Sequence, residues 1–405
     1  MDFAAALKRD RALVLDGATG TMVQALGLGD AAFGGPDYKM LVDLLNFSLP
    51  QAMRDIHLAF FRAGADAVET NTFGASAFRL AEYDFSGLDL SQWAANPHGV
   101  DPRRLSHDEL AYWLSRRGAE IAAEARDLHR RDPAHDGRPL FVVGSMGPSN
   151  RVISNTRATL RRATFDEVRA NFRRQALGLL DGGVDAFLHE TQQDILEVKA
   201  AVMGGFDAMA ERGRRVPVMA QVTVDQFARM QIFHTHIQAA LTTVQGLGVD
   251  VFGINCSIGP DLMAPAVETL CRFSRVPVSV LPNAGLPVSE NGRTVFKFAP
   301  DRFAALLRGF VADQGVRVVG GCCGTTPEHI RATVEALRGV APRGRVPEPG
   351  LYVSGPQKAV LLDGSKSLIR FGERLNIRGS KKVRDAVEND TGINHDVLEE
   401  VVREQ

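Results

Sequence analysis

The chain has 405 residues, 45% of them hydrophobic, and its 47 basic and 48 acidic side chains leave a formal net charge of -1. That balance excludes the electrostatic footprint of a nucleic-acid or anionic-membrane binder, and no apolar run reaches the ~20 residues that span a bilayer. Four cysteines do not make a disulfide framework, and the first ten residues lack a basic segment followed by an apolar one. The expectation is a soluble cytoplasmic protein with reduced thiols.

Short apolar runs fall at 12–15, 67–69, 140–143, 186–188, 216–222, 251–254, 276–281 and 317–319. Between them, helical periodicity appears at 50–63, 165–180, 194–209, 237–247, 261–273 and 300–312. Eight strands, most followed by a helix, predict an α/β chain folded as a (β/α)8 barrel over residues 1–340. A doubly wound open sheet is the second choice, but no Gly-x-Gly-x-x-Gly follows an early strand. An aperiodic insertion at 84–105 interrupts the second unit, either as a lid or as decoration. A helix at 327–337, opened by Pro327, closes the barrel. Residues 341–360 form a Pro/Gly-rich linker. The remaining 361–405 are too few for an independent core and read as a partial second domain.

Nearly every unusual polar residue sits at a strand end, which in such a barrel means one face. The ends read Asp16-Gly17-Ala18-Thr19-Gly20-Thr21, Glu69-Thr70-Asn71-Thr72-Phe73, His189-Glu190-Thr191, Asn255-Cys256, Pro282-Asn283-Ala284-Gly285 and Cys322-Cys323. Adjacent cysteines on a strand point to opposite faces unless the chain bends, and Gly320, Gly321 and Gly324 permit a bend. Three thiolates from two strand ends would give zinc three ligands and an open fourth position, as in catalytic sites. The same residues also read as three buried free cysteines. Cys271, on a helical pattern, reads as core. Asp16 and Glu190 are able to accept hydrogen bonds from an ammonium group, with glycine-flanked N–H groups facing a carboxylate.

Taken in order, these motifs resemble the zinc-dependent homocysteine S-methyltransferases over roughly the first 340 residues. The resemblance implies that Cys256, Cys322 and Cys323 bind Zn2+ and carry the catalysis. It implies that Asp16, Gly17 and Glu190 hold the amino-acid end of L-homocysteine, with Asn255 nearby, and that the product is methionine. Residues 371–382, Phe-Gly-Glu-Arg-Leu-Asn-Ile-Arg-Gly-Ser-Lys-Lys, resemble the opening of the pterin-binding barrel in cobalamin-dependent methionine synthase. That likeness implies methylcobalamin as donor, bound elsewhere, because the chain has no Asp-x-His-x-x-Gly corrinoid motif. Corrinoid-binding and pterin-binding partners or domains are expected. Alternatives are a free-standing enzyme using betaine or S-methylmethionine, and a non-catalytic zinc–thiolate module. One stretch departs from the family pattern: residues 225–236 replace its small-residue, glycine-containing loop and carry His234 and His236, read as a fourth zinc ligand, donor contacts or solvated loop residues.

Overall fold

The computed structural model describes residues 1–91, 93, 97–154, 162–290, 293–363, 380–388 and 392–403. Eight strands, each followed by a helix, make the expected (β/α)8 barrel. The pairs are β1 (Leu13–Val14) with α1 (Pro50–Ala63), β2 (Ala67–Glu69) with α2 (His107–Arg130), β3 (Phe141–Met146) with α3 (Phe165–Asp181), and β4 (Ala186–Gln192) with α4 (Ile195–Arg212). They continue as β5 (Val218–Val222) with α5 (Ile237–Gln245), β6 (Val251–Asn255) with α6 (Pro260–Phe273), β7 (Val278–Leu281) with α7 (Pro300–Gly309), and β8 (Val318–Val319) with α8 (Pro327–Ala336). All neighbours run parallel, in the order β1-β8-β7-β6-β5-β4-β3-β2. A bridge between Leu15 and Ala67, and the Asp66 N–H donating to the Val14 carbonyl at 2.7 Å, close the ring.

Strands covered on both faces alternate between two apolar compartments. Inward residues Leu13, Leu15, Ala67, Phe141, Val143, Ala186, Leu188, Met219, Val251, Leu281 and Val318 fill the lumen. A short N-terminal helix, Phe3–Ala6, plugs its base, with Phe3 edge-on to Phe141 at 5.3 Å. Outward residues pack under the helices as a second cluster.

Helix α2 is absent from the periodicity reading, although Ser106 and Glu109 form a reciprocal capping box at its start. Strand β4 runs further than its apolar stretch, carrying His189 to Gln192 into the sheet. In the insertion, Trp93 stacks on Phe47 at 5.9 Å and His98 contacts Glu120 at 2.8 Å. These contacts tie it to α2 and to the first βα unit. No helix among the described residues is long and apolar enough to cross a membrane.

Residues 341–360 lie along the barrel. Arg345 donates to the carbonyls of Cys271, Ser274 and Val276 at 3.0, 3.2 and 2.9 Å, satisfying the C-terminal end of α6, where a helix dipole favours a cation. Arg345 crosses Gly315, at φ 81°, where a Cβ would meet the Arg343 carbonyl at 2.3 Å. Met1–Val360 is one compact unit and Leu361–Gln405 another. In the second, helices Lys381–Val387 and His395–Arg403 pack together and bury Val383, Ala386 and Val401. The 371–382 motif falls outside the described residues up to residue 379.

Two histidines are buried with neither ring nitrogen partnered, His57 on α1 and His189 on the outward side of β4. Burial pushes His57 down to about 4 and His189 down to about 3. An unfolded histidine titrates near 6.5, so as pH falls the unfolded chain takes up protons first. Stability is therefore lost below about pH 6.5, at roughly 1.4 kcal/mol per pH unit for each group. His189→Met is expected to remove about 2 kcal/mol of the loss between pH 6.5 and 5, read as the difference between urea unfolding curves at the two values.

Candidate metal and substrate site

The inward alternation of each strand, carried one step past its apolar residues, reaches the mouth of the lumen with polar side chains. Ala67 leads to Glu69, Val143 to Ser145, Leu188 to Glu190, and Gly253 to Asn255. The two cysteine segments follow β6 and β8, which flank β7. Strands two apart are ~10 Å from each other, so the thiols meet only if both chains bend inward.

They do bend. Cys256 and Ser257 adopt φ of 61° and 69°, a left-handed pair without glycine, and Gly324 has φ 80°. Both segments anchor to the end of β7: the Cys256 N–H donates to Leu281 at 3.0 Å and the Cys322 N–H to Pro282 at 2.8 Å, while Ala284 donates to the Cys323 carbonyl at 2.9 Å. A side chain at Gly321 would strike the Thr325 hydroxyl at 2.3 Å, and that hydroxyl closes the turn by donating to the Cys322 carbonyl at 2.6 Å. As a result the three sulfurs lie within 4.8 Å of one another, with Cys256 and Cys323 at 3.8 Å. Among the described residues this is the one cluster with metal-ligand geometry, and neither His234 nor His236 belongs to it. His236 instead caps α5, its Nδ1 accepting from the Gln238 N–H at 3.3 Å. Cys271 is core on α6, its thiol pushed up to about 11 by burial.

The three thiols do not titrate alike. Hydrogen bonds from the Cys322 and Cys323 thiols pull Cys256 down to about 3. The same bonds hold Cys322 up, and Cys323 is pushed up to about 12. Three sulfur donors this close give up their remaining protons only to a soft or borderline metal ion.

A cavity of about 420 Å³ opens onto the thiols. Gly17, Glu69, Ser145, Glu190 and all three cysteines line it, as do Phe73 and Phe296. Glu190 accepts from the Ser145 hydroxyl and from Asn255 Nδ2, the latter at 3.2 Å. Asn255 also fixes Thr191, accepting its N–H at 2.8 Å, and its amide nitrogen is 3.9 Å from the Cys322 sulfur. Asp16 is fully buried behind the wall, both oxygens accepting the Glu69 N–H at 3.1 Å. Gly17 and Glu190 therefore face the cavity, while Asp16 and Asn255 brace residues that do. None of the described residues of the 84–105 insertion lines it.

Glu69 stands in a strand-end motif of the sequence without an assigned role, and Ser145 lies outside those motifs. The alternation Ala67–Glu69 and Phe141–Val143–Ser145, extended along the lumen face, marks both. One oxygen of Glu69 is buried without a partner. Burial raises Glu69 well above the usual carboxylate range, and Glu190 and Asp16 raise it further. Asp16 is raised chiefly by burial, and Glu190 is pushed up to about 7.

A family model for homocysteine S-methyltransferase matches residues 13–337. The chain belongs to that family. Two methionine synthases, from Mycobacterium tuberculosis and Mycobacterium leprae, are each 39% identical to this homocysteine S-methyltransferase family member, over 379 and 387 residues. These matches take in 93% of this chain and 29% of each relative, so the chain spans under a third of their length. The metallated and oxidised forms of the homocysteine methyltransferase MmuM from Escherichia coli share the fold. Each has a TM-score of 0.60, at 24% and 23% identity, covering 82% and 81% of this chain and 98% and 96% of theirs.

Crowded carboxyls give the family member a pH signature. A carboxyl raised above its unfolded value stabilises the fold while protonated, and that contribution is lost as pH rises through the folded value. Glu69→Gln removes one ionisable member of the cluster. It is expected to raise the melting temperature of the metal-free, substrate-free chain at pH 8, with the gain vanishing toward pH 5, as calorimetry at both values would show.

Proposed function

We propose that the chain is the zinc-dependent, homocysteine-activating module of a methionine synthase that takes its methyl group from methylcobalamin. Cys256, Cys322 and Cys323 hold the zinc, and L-homocysteine binds with its amino-acid end against Gly17, Glu69 and Glu190. The corrinoid sits on a separate protein or domain, and residues 361–405 belong to the start of a pterin-binding unit.

The thiol cluster carries this reading. Two sulfurs each ~2.3 Å from a tetrahedral zinc are ~3.8 Å apart, and the Cys256–Cys323 separation is 3.8 Å. Two of the three thiols resist deprotonation until a cation arrives. Zinc bound there supplies a nucleophilic substrate sulfur at neutral pH, because a coordinated thiol is deprotonated outright.

The protein side chains do the rest. Glu69 and Glu190 accept the substrate ammonium, which neutralises carboxyls that no lysine or arginine pairs with among the described residues. Ser145 and Asn255 hold Glu190 in the orientation this requires. Asp16 fixes the backbone under Glu69, so the ammonium acceptor is positioned before substrate arrives. Phe73 and Phe296 add apolar surface to the cavity lining, which favours attack on a methyl group over solvation of the nucleophile.

The deciding assay supplies the zinc-quantified chain with L-homocysteine and, in separate reactions, methylcobalamin, betaine and S-methylmethionine, and measures methionine. Zinc-dependent turnover with methylcobalamin alone is expected. Turnover with either small donor in its place makes this a free-standing methyltransferase, and bound zinc with no turnover from any donor sinks the catalytic reading. Cys322→Ala is expected to lose zinc and methyl transfer together; activity surviving that change would rule out the metal.

A further inference from the structure

The loop between β5 and α5, which carries His234 and His236, has no task in the function proposed above. Its backbone is tied into a knot: Met230 donates to Thr235 at 2.8 Å, His234 to Met230 at 3.0 Å and Ile237 to Ala228 at 2.8 Å. Ala228 and His234 sit at φ 59° and 53°. Three contacts lead out of this knot, two to the segment that follows the barrel and one to the Cys256 turn.

On one side, the loop donates to the segment that follows the barrel. The Thr235 hydroxyl, on a residue 1% exposed, donates to the Pro356 carbonyl at 2.6 Å. One residue on, the His236 N–H donates to the Gln357 carbonyl at 2.9 Å. That segment is itself pinned along its length. Arg345 holds the end of α6, Glu348 pairs with Arg272 and donates its N–H to the Arg272 carbonyl at 2.8 Å, and Arg275 donates to Gly350 at 2.9 Å. Tyr352 packs edge-on against Phe273 at 5.6 Å, and Ser354 bonds Thr243 on α5 at 2.7 Å. On the other side, Gln231 Nε2 donates to the Ser257 hydroxyl. Ser257 is the second residue of the left-handed pair that aims the Cys256 sulfur at Cys323.

We infer that residues 341–360 are a strap that positions the Cys256 turn, acting through Thr235 and His236 on the loop and through Gln231 as the positioning residue. The left-handed pair is intrinsically unfavourable for residues with a Cβ, so it needs outside support. The chain of contacts supplies it from the far end of the strap. The role of the strap in metal retention rests on the zinc reading; its role in holding the turn does not.

The test uses the full chain with Thr235→Val, Gln231→Met and both together. Thr235→Ser, which keeps the hydroxyl, serves as rescue. In the metal-free protein, hydrogen exchange is followed at 225–236 and at 254–258, where the Cys256 and Ile258 N–H groups donate to the Leu281 and Cys256 carbonyls. Losing one such hydrogen bond corresponds to roughly 3- to 10-fold in an opening equilibrium. Thr235→Val is expected to speed exchange by that factor in both segments, and Gln231→Met in 254–258. The double variant should be no faster at 254–258 than Gln231→Met, because both changes cut one chain of contacts. Zinc release to a chelator should follow the same order, and Thr235→Ser should match the parent. Loosening confined to 225–236 in Thr235→Val, or multiplicative effects in the double variant, overturns the proposal. A parent chain that retains no zinc overturns the function proposed above, and the exchange data then decide the strap alone.

Discussion

Like charge confined in a cavity must be neutralised, and that constraint organises the mouth of this barrel. Three carboxyl groups and three thiols converge where water is scarce: burial holds the carboxyls back from ionising, and their bonds to Cys256 hold back Cys322 and Cys323. The carboxyls call for a cation bearing N–H donors and the sulfurs for a metal ion. An aminothiol acid of homocysteine's shape carries an ammonium at one end and a metal-seeking sulfur at the other. On the function proposed above, one substrate and one ion would meet both demands.

Parallel strands bring these groups together at little cost in chain length. Cys256 and Cys322 are 66 residues apart in sequence, yet both hang from the end of β7, whose residues 281–284 accept or donate bonds on either side. The separation that strand geometry imposes is then closed by left-handed turns. A barrel of regular strands gives coarse placement, and a few irregular residues give the final ångströms. The irregular residues are the ones that need bracing, as Asn255 does for Thr191 at φ 58° and Gln231 does for Ser257.

Much of this was legible in the sequence because strands buried on both faces are plain apolar runs, and their polar successors stand out. The (β/α)8 architecture and the strand-end positions of Asp16, Glu190, Asn255 and the cysteines follow from that contrast. Helix α2 escaped because Ala-rich and Arg-rich turns blur its periodicity, although its capping box was readable at Ser106 and Glu109. Depth along the lumen was harder to see. Nothing in the string separates Asp16, sealed behind the wall, from Glu69, which it holds out into the cavity. Residues 341–360 read as a linker because proline and glycine suppress regular structure, and their hydrogen bonds go to partners 30 to 121 positions away that no local pattern reveals.

Arg345 carries a further consequence, for where such a barrel could be cut from a longer protein. A cassette cut after the last barrel helix would look complete by its strands and helices. It would leave the carbonyls closing α6 bare and free the loop beside the thiols. A piece that keeps these contacts therefore runs some twenty residues beyond the last repeat of the fold, and one cut to the repeats alone would lose the bonds proposed to hold the Cys256 turn.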